Sequence, residues 1–273
     1  MRRRVHAAEH QGTASAVSAA VPGSAPGRLN ASVARTWRRS WRLIAVFIVI
    51  LYGLLLAIPA RLKQHPEGIA RHWFRCLARA MGLHIQTGGE ALSPPVLLVG
   101  NHISWIDIVV LCASTPVLFV SKDDVKGWPI IGFLTKAAKT LFIARGGNHT
   151  AQLRADMLQR LQQGFRIVIF PEGTTTDGQG LRRFQPRLFG AAIDGNIAVQ
   201  PFMLHYGQSC VAYIDGGPSL FGVLWNCLAE PRITARLHFG PRLTPRESRK
   251  EYAQQAQDWV ASALASAHDC APD

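Results

Sequence analysis

Acidic residues and patterned cysteines are what this sequence has least of. Its 273 residues include 17 Asp and Glu against 30 Lys and Arg, so the formal net charge is +13. The five cysteines are scattered, and none forms a CxxC pair or a Cys/His metal spacing. This pattern favours free thiols in a reducing compartment over a disulfide framework or a zinc site. A GxSxG nucleophile elbow is also absent, which argues against a serine hydrolase.

The excess of positive charge is distributed in a way that favours a membrane surface over nucleic acid. The basic residues form no single tract and no nucleic-acid-binding motif is visible, so no nucleic-acid partner is expected. Basic clusters on both sides of an apolar segment are typical of proteins at an anionic bilayer. The clusters are Arg35, Arg38, Arg39 and Arg42 before the segment, and Arg61, Lys63, Arg71, Arg75 and Arg79 after it.

The first 82 residues are predicted to divide into a tail and a membrane anchor. Residues 1–32 are rich in Ala, Ser, Gly and Pro without apolar periodicity, which is typical of a disordered tail, and they lack the apolar stretch of a signal peptide. Residues 43–60 are nearly all apolar, and residues 69–81 form an amphipathic basic pattern. We predict a membrane-associated helical hairpin over residues 33–82, at the cytoplasmic face of the inner or plasma membrane.

The topology of the apolar segment has three open alternatives. Arginines on both flanks give the positive-inside rule no preferred side, so residues 43–60 either span the bilayer or re-enter one leaflet. A buried core helix is the third alternative. Trp37 and Trp41 beside the segment, like the flanking arginines, have the pattern of interfacial anchors and favour the membrane.

Residues 83–273 are predicted to form one α/β domain with a mostly parallel central sheet flanked by helices. Strand-like apolar runs alternate with helical stretches, which is the pattern of parallel sheets. The predicted helices include residues 150–163 and 247–267. The predicted strands are residues 96–99, 117–120, 141–144, 167–170, 198–204, 211–214 and 233–239.

Residues 101–107, Asn-His-Ile-Ser-Trp-Ile-Asp, lie where one of these strands ends and a helix begins. Ligands of α/β proteins bind at the carboxyl ends of the strands. Asp107 in the first helical turn is placed to bond the imidazole of His102, which would make the histidine a general base. The alternative is structural: Ser104 as the N-cap and Asp107 as its capping-box partner.

Three further strand ends carry charged residues. Phe170-Pro171-Glu172-Gly173-Thr174 closes one strand, and the turn would direct Glu172 and Thr174 into the same crevice as His102. Arg145, followed by two glycines, closes another strand and is typical of a phosphate receptor. Each signal also has a plain reading as a solvated turn residue. The remaining cations near these strand ends are Lys122, Arg182 and Arg183.

The order of these motifs resembles the PlsC-type glycerolipid acyltransferases, which include the 1-acyl-sn-glycerol-3-phosphate acyltransferases. The resemblance covers about residues 70–245 and rests on NHxxxxD, F-I-x-R, FPEGT and a proline-bearing strand at 199–201. It implies that residues 83–273 are an acyltransferase domain with His102 as general base and Asp107 as its orienting partner. It also implies substrate-binding roles for Lys122, Arg145, Glu172, Gly173 and Thr174.

The resemblance implies acyl transfer from acyl-CoA or acyl carrier protein to lysophosphatidate, without a cofactor or metal. Family members that act on lysophosphatidate often read F-I-D-R and FPEGT-R, whereas Ala144 and Thr175 stand at the extra positions here. Arg182 or Arg183 is the candidate replacement for phosphate binding. The reading FPEGTTTDG also resembles members that acylate other lysolipids, such as lyso-ornithine lipid. A membrane-bound lipid hydrolase is the alternative of a different class, and it predicts cleavage without an added acceptor.

Overall fold

The computed structural model describes residues 26–64, 66–122, 127, 129–143, 149–214, 216–243 and 248–269. Within these residues, seven strands form one sheet in the order β1-β7-β6-β2-β5-β3-β4. The strands are β1 (Leu83–Gly88), β2 (Val96–Gly100), β3 (Leu118–Lys122), β4 (Leu141–Ile143), β5 (Arg166–Ile169), β6 (Ala198–Tyr206) and β7 (Ile233–Phe239).

Five of the seven strands run parallel to one another, from β6 across to β4. Strand β7 pairs antiparallel with β6, and β1 pairs parallel with β7, so these two run the other way. The predicted α/β class with a mostly parallel sheet is therefore confirmed. The carboxyl ends of the five parallel strands meet at one edge of the sheet.

Helices cover both faces of the sheet because its central strands are apolar on both sides. In β2, Val96 and Leu98 join the core beneath one helical layer, and Leu97 and Val99 join the core beneath the other. The helices are α1 (Pro26–Leu62), α2 (Glu67–Met81), α3 (Ile106–Ser114), α4 (Pro129–Ala137), α5 (His149–Gln162), α6 (Gly190–Asp194), α7 (Leu220–Ala229) and α8 (Arg249–Asp269).

Two strand predictions differ from the structure. Residues 211–214 do not form a strand: a short 3₁₀ helix, Ser209–Val211, ends there and extended chain follows. Val211 is fully buried against the core, and a short buried apolar run has the same sequence pattern in a strand or a loop. Strand β1 was not predicted, because its sequence Leu-His-Ile-Gln-Thr-Gly is largely polar, as befits an edge strand.

Helices α1 and α2 form the predicted helical pair. Helix α1 begins at Pro26, so the last residues of the predicted tail are helical, and residues 1–25 lie outside the described part of the chain. Helix α1 contains one stretch, Ala31–Leu62, that is long and apolar enough to cross a membrane. Within the protein, 22% of its most apolar 18-residue window is buried. Its exposed apolar side chains include Trp37, Ile44, Phe47, Leu51, Leu55 and Ile58.

One side of α1 is bound to the rest of the protein along most of its length. Arg42 is buried and donates to the carbonyl oxygens of Glu230 at 2.6 Å and Pro231 at 3.0 Å, just after α7. Near its middle, the indole N–H of Trp73 from α2 donates to the Val49 carbonyl at 2.7 Å. Close to its end, the Arg61 guanidinium lies 4.1 Å from the Phe133 ring of α4.

The arginines before the apolar segment thus have a structural task that the sequence did not reveal. Arg38 donates to the Ala229 carbonyl at 2.9 Å and Arg39 to the Trp225 carbonyl at 3.2 Å. The Ala229 carbonyl is one of the last four of α7, which lack partners within the helix, and cations near the carboxyl end of a helix are stabilising. Three of the four predicted interfacial arginines therefore bind the carboxyl end of α7 and the residues just after it.

Candidate active site

Three of the predicted site residues, together with Tyr206, which the sequence did not predict, lie at the carboxyl edge of the parallel strands. His102 lies two residues beyond β2, Lys122 ends β3, Glu172 follows β5, and Tyr206 ends β6. The register of the sheet brings these ends together, because β5, β2 and β6 are hydrogen-bonded neighbours. Parallel strands with aligned carboxyl ends form the crevice in which α/β proteins bind ligands.

His102 and Asp107 form the pair that the sequence predicts. The His102 Nδ1 and Asp107 Oδ2 atoms are 2.7 Å apart, and the Asp107 side chain is fully buried while that of His102 is 19% exposed. Because Nδ1 is bound to the carboxylate, Nε2 is the ring atom left to accept a proton, and it has no hydrogen-bond partner among the described residues. The Phe170 ring stacks on the imidazole with ring centroids 3.9 Å apart.

The structural alternative for this motif is half realised. Asp107 Oδ2 also accepts the backbone N–H groups of Ile103 at 2.7 Å and Ser104 at 3.0 Å, which is the backbone half of a capping box. The Ser104 hydroxyl is buried and has no partner within the described part of the chain, and the residue before α3 is Trp105. Asp107 therefore fixes the turn before α3 with the same oxygen that holds His102, and Trp105 at the N-cap position makes no side-chain capping bond.

Glu172 is buried, and both of its carboxylate oxygens are bound to the backbone. Oε1 accepts the His102 N–H at 2.7 Å, and Oε2 accepts the Arg182 N–H at 2.8 Å. Burial raises the pKa of Glu172 above its ordinary range, while these two backbone donors work in the opposite direction. Glu172 thus connects the turn that carries His102 to the loop that follows β5.

Further hydrogen bonds fix the backbone around His102. The side-chain amide of Asn101 both donates to and accepts from the Leu204 backbone of β6, each at 2.8 Å. The Thr176 N–H donates to the His102 carbonyl at 2.8 Å. His102 is therefore held from β6 on one side and from the loop after β5 on the other.

The turn after β5 has the geometry that its glycine permits. Gly173 has φ +76°, a left-handed conformation that other residues adopt only with strain, and a Cβ atom there would also displace the Gln185 side chain. Its N–H donates to the Phe170 carbonyl at 3.1 Å and closes the turn. Thr174 is half-buried, and the hydroxyl of the next residue, Thr175, donates to the Tyr213 carbonyl.

The predicted cationic residues have different positions in the structure. Arg182 and Arg183 are exposed, and the bond from the Arg182 backbone to Glu172 places them at the rim of the site. The backbone of Lys122 lies at the carboxyl end of β3. Arg145 lies outside the described residues. The described residues include no group of three His, Cys, Asp or Glu side chains able to hold a metal ion.

Tyr206 is a site residue that the sequence analysis missed. Its hydroxyl donates to Asp107 Oδ1 at 2.7 Å. The available signal was its position, because the predicted strand 198–204 extends two residues further and Tyr206 is then one more polar side chain at a strand end.

The chain is similar to known acyltransferases in sequence and in structure. Residues 84–205 match the family model described as Acyltransferase. The chain is 36% identical over 203 residues to a lyso-ornithine lipid O-acyltransferase of Pseudomonas aeruginosa, covering 72% of this chain and 79% of the relative. It is 31% identical over 188 residues to a 1-acyl-sn-glycerol-3-phosphate acyltransferase of Neisseria meningitidis, covering 66% and 73%.

A solved structure has the same fold. The crystal structure of the 1-acyl-sn-glycerophosphate acyltransferase PlsC from Thermotoga maritima superposes with a TM-score of 0.66, covering 89% of this chain and 100% of that chain. The two sequences are 13% identical, so this likeness concerns the fold.

Proposed function

This chain belongs to the acyltransferase family and is an O-acyltransferase of the lysolipid type, and we propose that its acceptor is lyso-ornithine lipid. The predicted family and reaction class are confirmed by these relatives. The hydrolase alternative gains no support from them. The acceptor, the donor, the membrane partner and the roles of individual residues belong to the proposal.

The observation that carries the choice of acceptor is Thr175. Family members that act on lysophosphatidate often have arginine directly after FPEGT, where it is available for the phosphate. Here Thr175 is half-buried and its hydroxyl is bound to the Tyr213 carbonyl, so this position offers no cation. The relative that is 36% identical is named for lyso-ornithine lipid, which supports the same acceptor.

Lysophosphatidate, the first choice of the sequence analysis, is the second candidate. The relative that is 31% identical is a 1-acyl-sn-glycerol-3-phosphate acyltransferase. Exposed Arg182 and Arg183 at the rim offer two cations for a phosphate, and Arg145 is the family's phosphate-binding position. We propose that the three arginines bind the head group of whichever acceptor is used.

His102 acts as the general base in the proposed mechanism. Its Nε2 takes the proton from the acceptor hydroxyl, and the alkoxide attacks the carbonyl carbon of the acyl-CoA or acyl carrier protein thioester. The tetrahedral intermediate collapses with loss of the thiolate, which takes the proton back from His102. The Asp107 carboxylate, bound to Nδ1 at 2.7 Å, stabilises the imidazolium while it exists. Lys122 is the proposed contact near the thioester.

The residues after β5 have a positioning role in this proposal. Both carboxylate oxygens of Glu172 are bound to backbone N–H groups, so the side chain orders the walls of the acceptor site and holds His102 in place. Gly173 permits the sharp turn, and half-buried Thr174 lies next along the chain, within reach of an acceptor.

We propose that α1 binds the bilayer lying in the plane of one leaflet. Contacts to α7, α2 and α4 cover one side of the helix from Arg38 to Arg61, so this side is not free to face lipid. The opposite side exposes large apolar groups such as Phe47, Leu51 and Leu55. A helix with one apolar face free lies at the interface more readily than it spans. This supports the re-entrant alternative over a spanning helix, and we propose that both ends lie on the cytoplasmic face.

The acceptor is tested by an acyl-transfer assay on purified protein in vesicles, with radiolabelled donor and the two lysolipids offered side by side. Transfer to lyso-ornithine lipid is expected, and transfer to lysophosphatidate alone would overturn the choice. Thr175→Arg is the informative variant. One charge-assisted hydrogen bond contributes about 1.5–3 kcal/mol, so the variant should raise the use of lysophosphatidate relative to lyso-ornithine lipid by roughly tenfold. Thr175→Ser is the matched control.

A further inference from the structure

Tyr206 supplies the only side-chain donor to one oxygen of the buried Asp107 carboxylate among the described residues. Oδ2 accepts from the His102 ring and from two backbone N–H groups. Oδ1 accepts from the Tyr206 hydroxyl at 2.7 Å. Asp107 is fully buried, and a buried polar oxygen without a hydrogen-bond donor is destabilising. The position of the carboxylate that holds His102 therefore depends on this hydroxyl.

The sheet fixes Tyr206 in the position from which it donates. Tyr206 is the last residue of β6 and pairs with Ala235 of the antiparallel strand β7. Two residues earlier, Leu204 is bound on both its N–H and its carbonyl by the Asn101 amide. The end of β6 and the turn that carries His102 are thus joined by three hydrogen bonds.

Tyr206 acts on the side of Asp107 that is remote from the substrate. The acceptor must approach Nε2 of His102, whereas Tyr206 bonds the carboxylate that holds Nδ1. Burial, together with the Asp107 carboxylate, raises the pKa of the Tyr206 hydroxyl well above its ordinary value. The hydroxyl stays protonated at physiological pH and donates throughout.

We propose that Tyr206 is a positioning residue for the reaction, forming with Asp107 and His102 a relay that orients the base and sets how strongly it holds a proton. The inference rests on the proposed role of His102 as general base. Removing the donor to Oδ1 leaves more negative charge on the carboxylate beside His102. The imidazolium form becomes more stable, and the neutral base is reached only at higher pH.

Among the described residues, the ionisable groups near this relay include Glu172, Cys227 and Cys210. Glu172, from the turn after β5, accepts the His102 backbone N–H. The Cys227 thiol of α7 lies close enough to Tyr206 to help raise its pKa, and the Cys210 sulfur is 3.8 Å from that of Cys227. These groups are unchanged in the variants below, so a shift in the pH profile reports the relay.

The test is a pH–rate profile of Tyr206→Phe in the full-length enzyme, measured with acyl donor and lysolipid in vesicles. A hydrogen bond to a charged group has an energy that corresponds to a factor of about ten or more. We expect kcat to fall about tenfold, KM to change less than twofold, and the acid limb of kcat/KM to move to higher pH. Tyr252→Phe, a buried tyrosine in the core of the opposite sheet face, is the matched control and should leave all three unchanged.

A second protein with 3-fluorotyrosine at position 206 reverses the sign. The fluorinated phenol is a stronger donor, so the acid limb should move to lower pH than in the wild type. A tyrosine that only fills space would give no such reversal. Wild-type kcat and an unshifted profile in Tyr206→Phe would overturn the proposal, and if that variant does not fold, an unshifted profile in the fluorotyrosine protein overturns it.

The outcome separates this inference from the proposed function. If His102→Ala is inactive and Tyr206→Phe behaves as the wild type, the positioning role is wrong and the general base stands. If His102→Ala keeps normal activity, the general base itself is wrong, and the relay falls with it.

Discussion

The surroundings of His102 and the outer face of α1 differ in which side chains they bury: polar ones are buried around His102, whereas apolar ones are exposed on α1. Around His102, polar side chains are buried and hydrogen-bonded: Asp107 and Glu172 are almost inaccessible, and each carboxylate accepts at least two hydrogen bonds. On α1, large apolar groups are exposed, with Phe47 at 60% and Leu55 at 68%. The carboxylates around His102 find their hydrogen-bond donors within the protein, whereas the outer face of α1 is an apolar surface that an apolar partner would cover.

Arg42 of α1 shows that a positive charge beside the apolar segment has a structural role inside the protein. Arg42 is buried on the inner side of a helix whose outer side is apolar, and its guanidinium binds backbone carbonyls. Positive charge beside an apolar helix is thus used within the protein as well as at a membrane. We therefore expect substitutions around His102 to lower acyl transfer while vesicle binding stays unchanged. Substitutions on the outer face of α1 should weaken vesicle binding while the chemistry stays intact.

The largest effect is expected from His102→Ala. Loss of a general base lowers kcat by about 10³-fold, within the range of roughly 10²–10⁴ for such groups. Acyl transfer is measured with radiolabelled donor, and vesicle sedimentation of the same protein is the control and should be unchanged. Near-normal transfer by a well-folded variant would contradict the assignment.

The next effect is expected on the outer face, from the triple variant Phe47→Ser, Leu51→Ser and Leu55→Ser. Burying a large apolar side chain contributes about 1.5–3 kcal/mol, so vesicle binding should weaken at least about 100-fold. Sedimentation with anionic vesicles measures this. The triple variant Phe47→Leu, Leu51→Met and Leu55→Met is the matched control and should bind as the wild type does. Unchanged binding by the serine variant would mean that lipid does not cover this face.

A smaller effect is expected where α1 is bound to the residues just after α7. Arg42→Met removes the guanidinium that binds the carbonyls after α7, which leaves buried acceptors unsatisfied, so the free energy of unfolding should fall by about 2 kcal/mol. Denaturant unfolding in detergent measures it. Arg35 is exposed, so Arg35→Met is the control and should change little. Equal stability of both variants would indicate that the arginine bonds do not hold α1.

The smallest effect is expected from Glu172→Gln. The amide has one acceptor oxygen, so one of the N–H groups of His102 and Arg182 loses its partner, at a cost of about 1 kcal/mol. The exposed Glu251→Gln is the control.

The stability difference between the wild type and Glu172→Gln should change with pH in one direction. Because burial raises the pKa of Glu172, the folded protein holds that proton to higher pH than the unfolded chain does. The contribution of Glu172 to stability is therefore present below the ordinary glutamate pKa and declines as pH rises through the raised value. The advantage of the wild type over Glu172→Gln should shrink over that range, and an advantage that grows would contradict the assigned burial.

The sequence predicted most of the sheet and the centre of the site for a common physical reason. Central strands such as β2 and β5 are apolar runs, and His102 with Asp107 lie five residues apart at a strand end, so both signals are local. Strand β1 was not predicted, because an edge strand needs little apolar surface and its sequence has no apolar run.

The contacts that were missed are remote in sequence. The Tyr206 hydroxyl and the Asp107 carboxylate are 99 residues apart along the chain, and Arg42 is 188 residues from the Glu230 carbonyl that it binds. A single sequence carries no local trace of such pairs. Arg42 therefore had the pattern of an interfacial anchor, and Tyr206 had that of an ordinary strand residue.

One measurement tests the separation of the two regions most directly. His102→Ala, the triple serine variant of α1, and their combination are each assayed for acyl transfer to detergent-dispersed lyso-ornithine lipid and for sedimentation with vesicles. We expect His102→Ala to lose transfer and keep sedimentation, and the α1 variant to lose sedimentation and keep at least half of the detergent activity. Loss of both properties in either single variant, with the fold intact, would contradict the account.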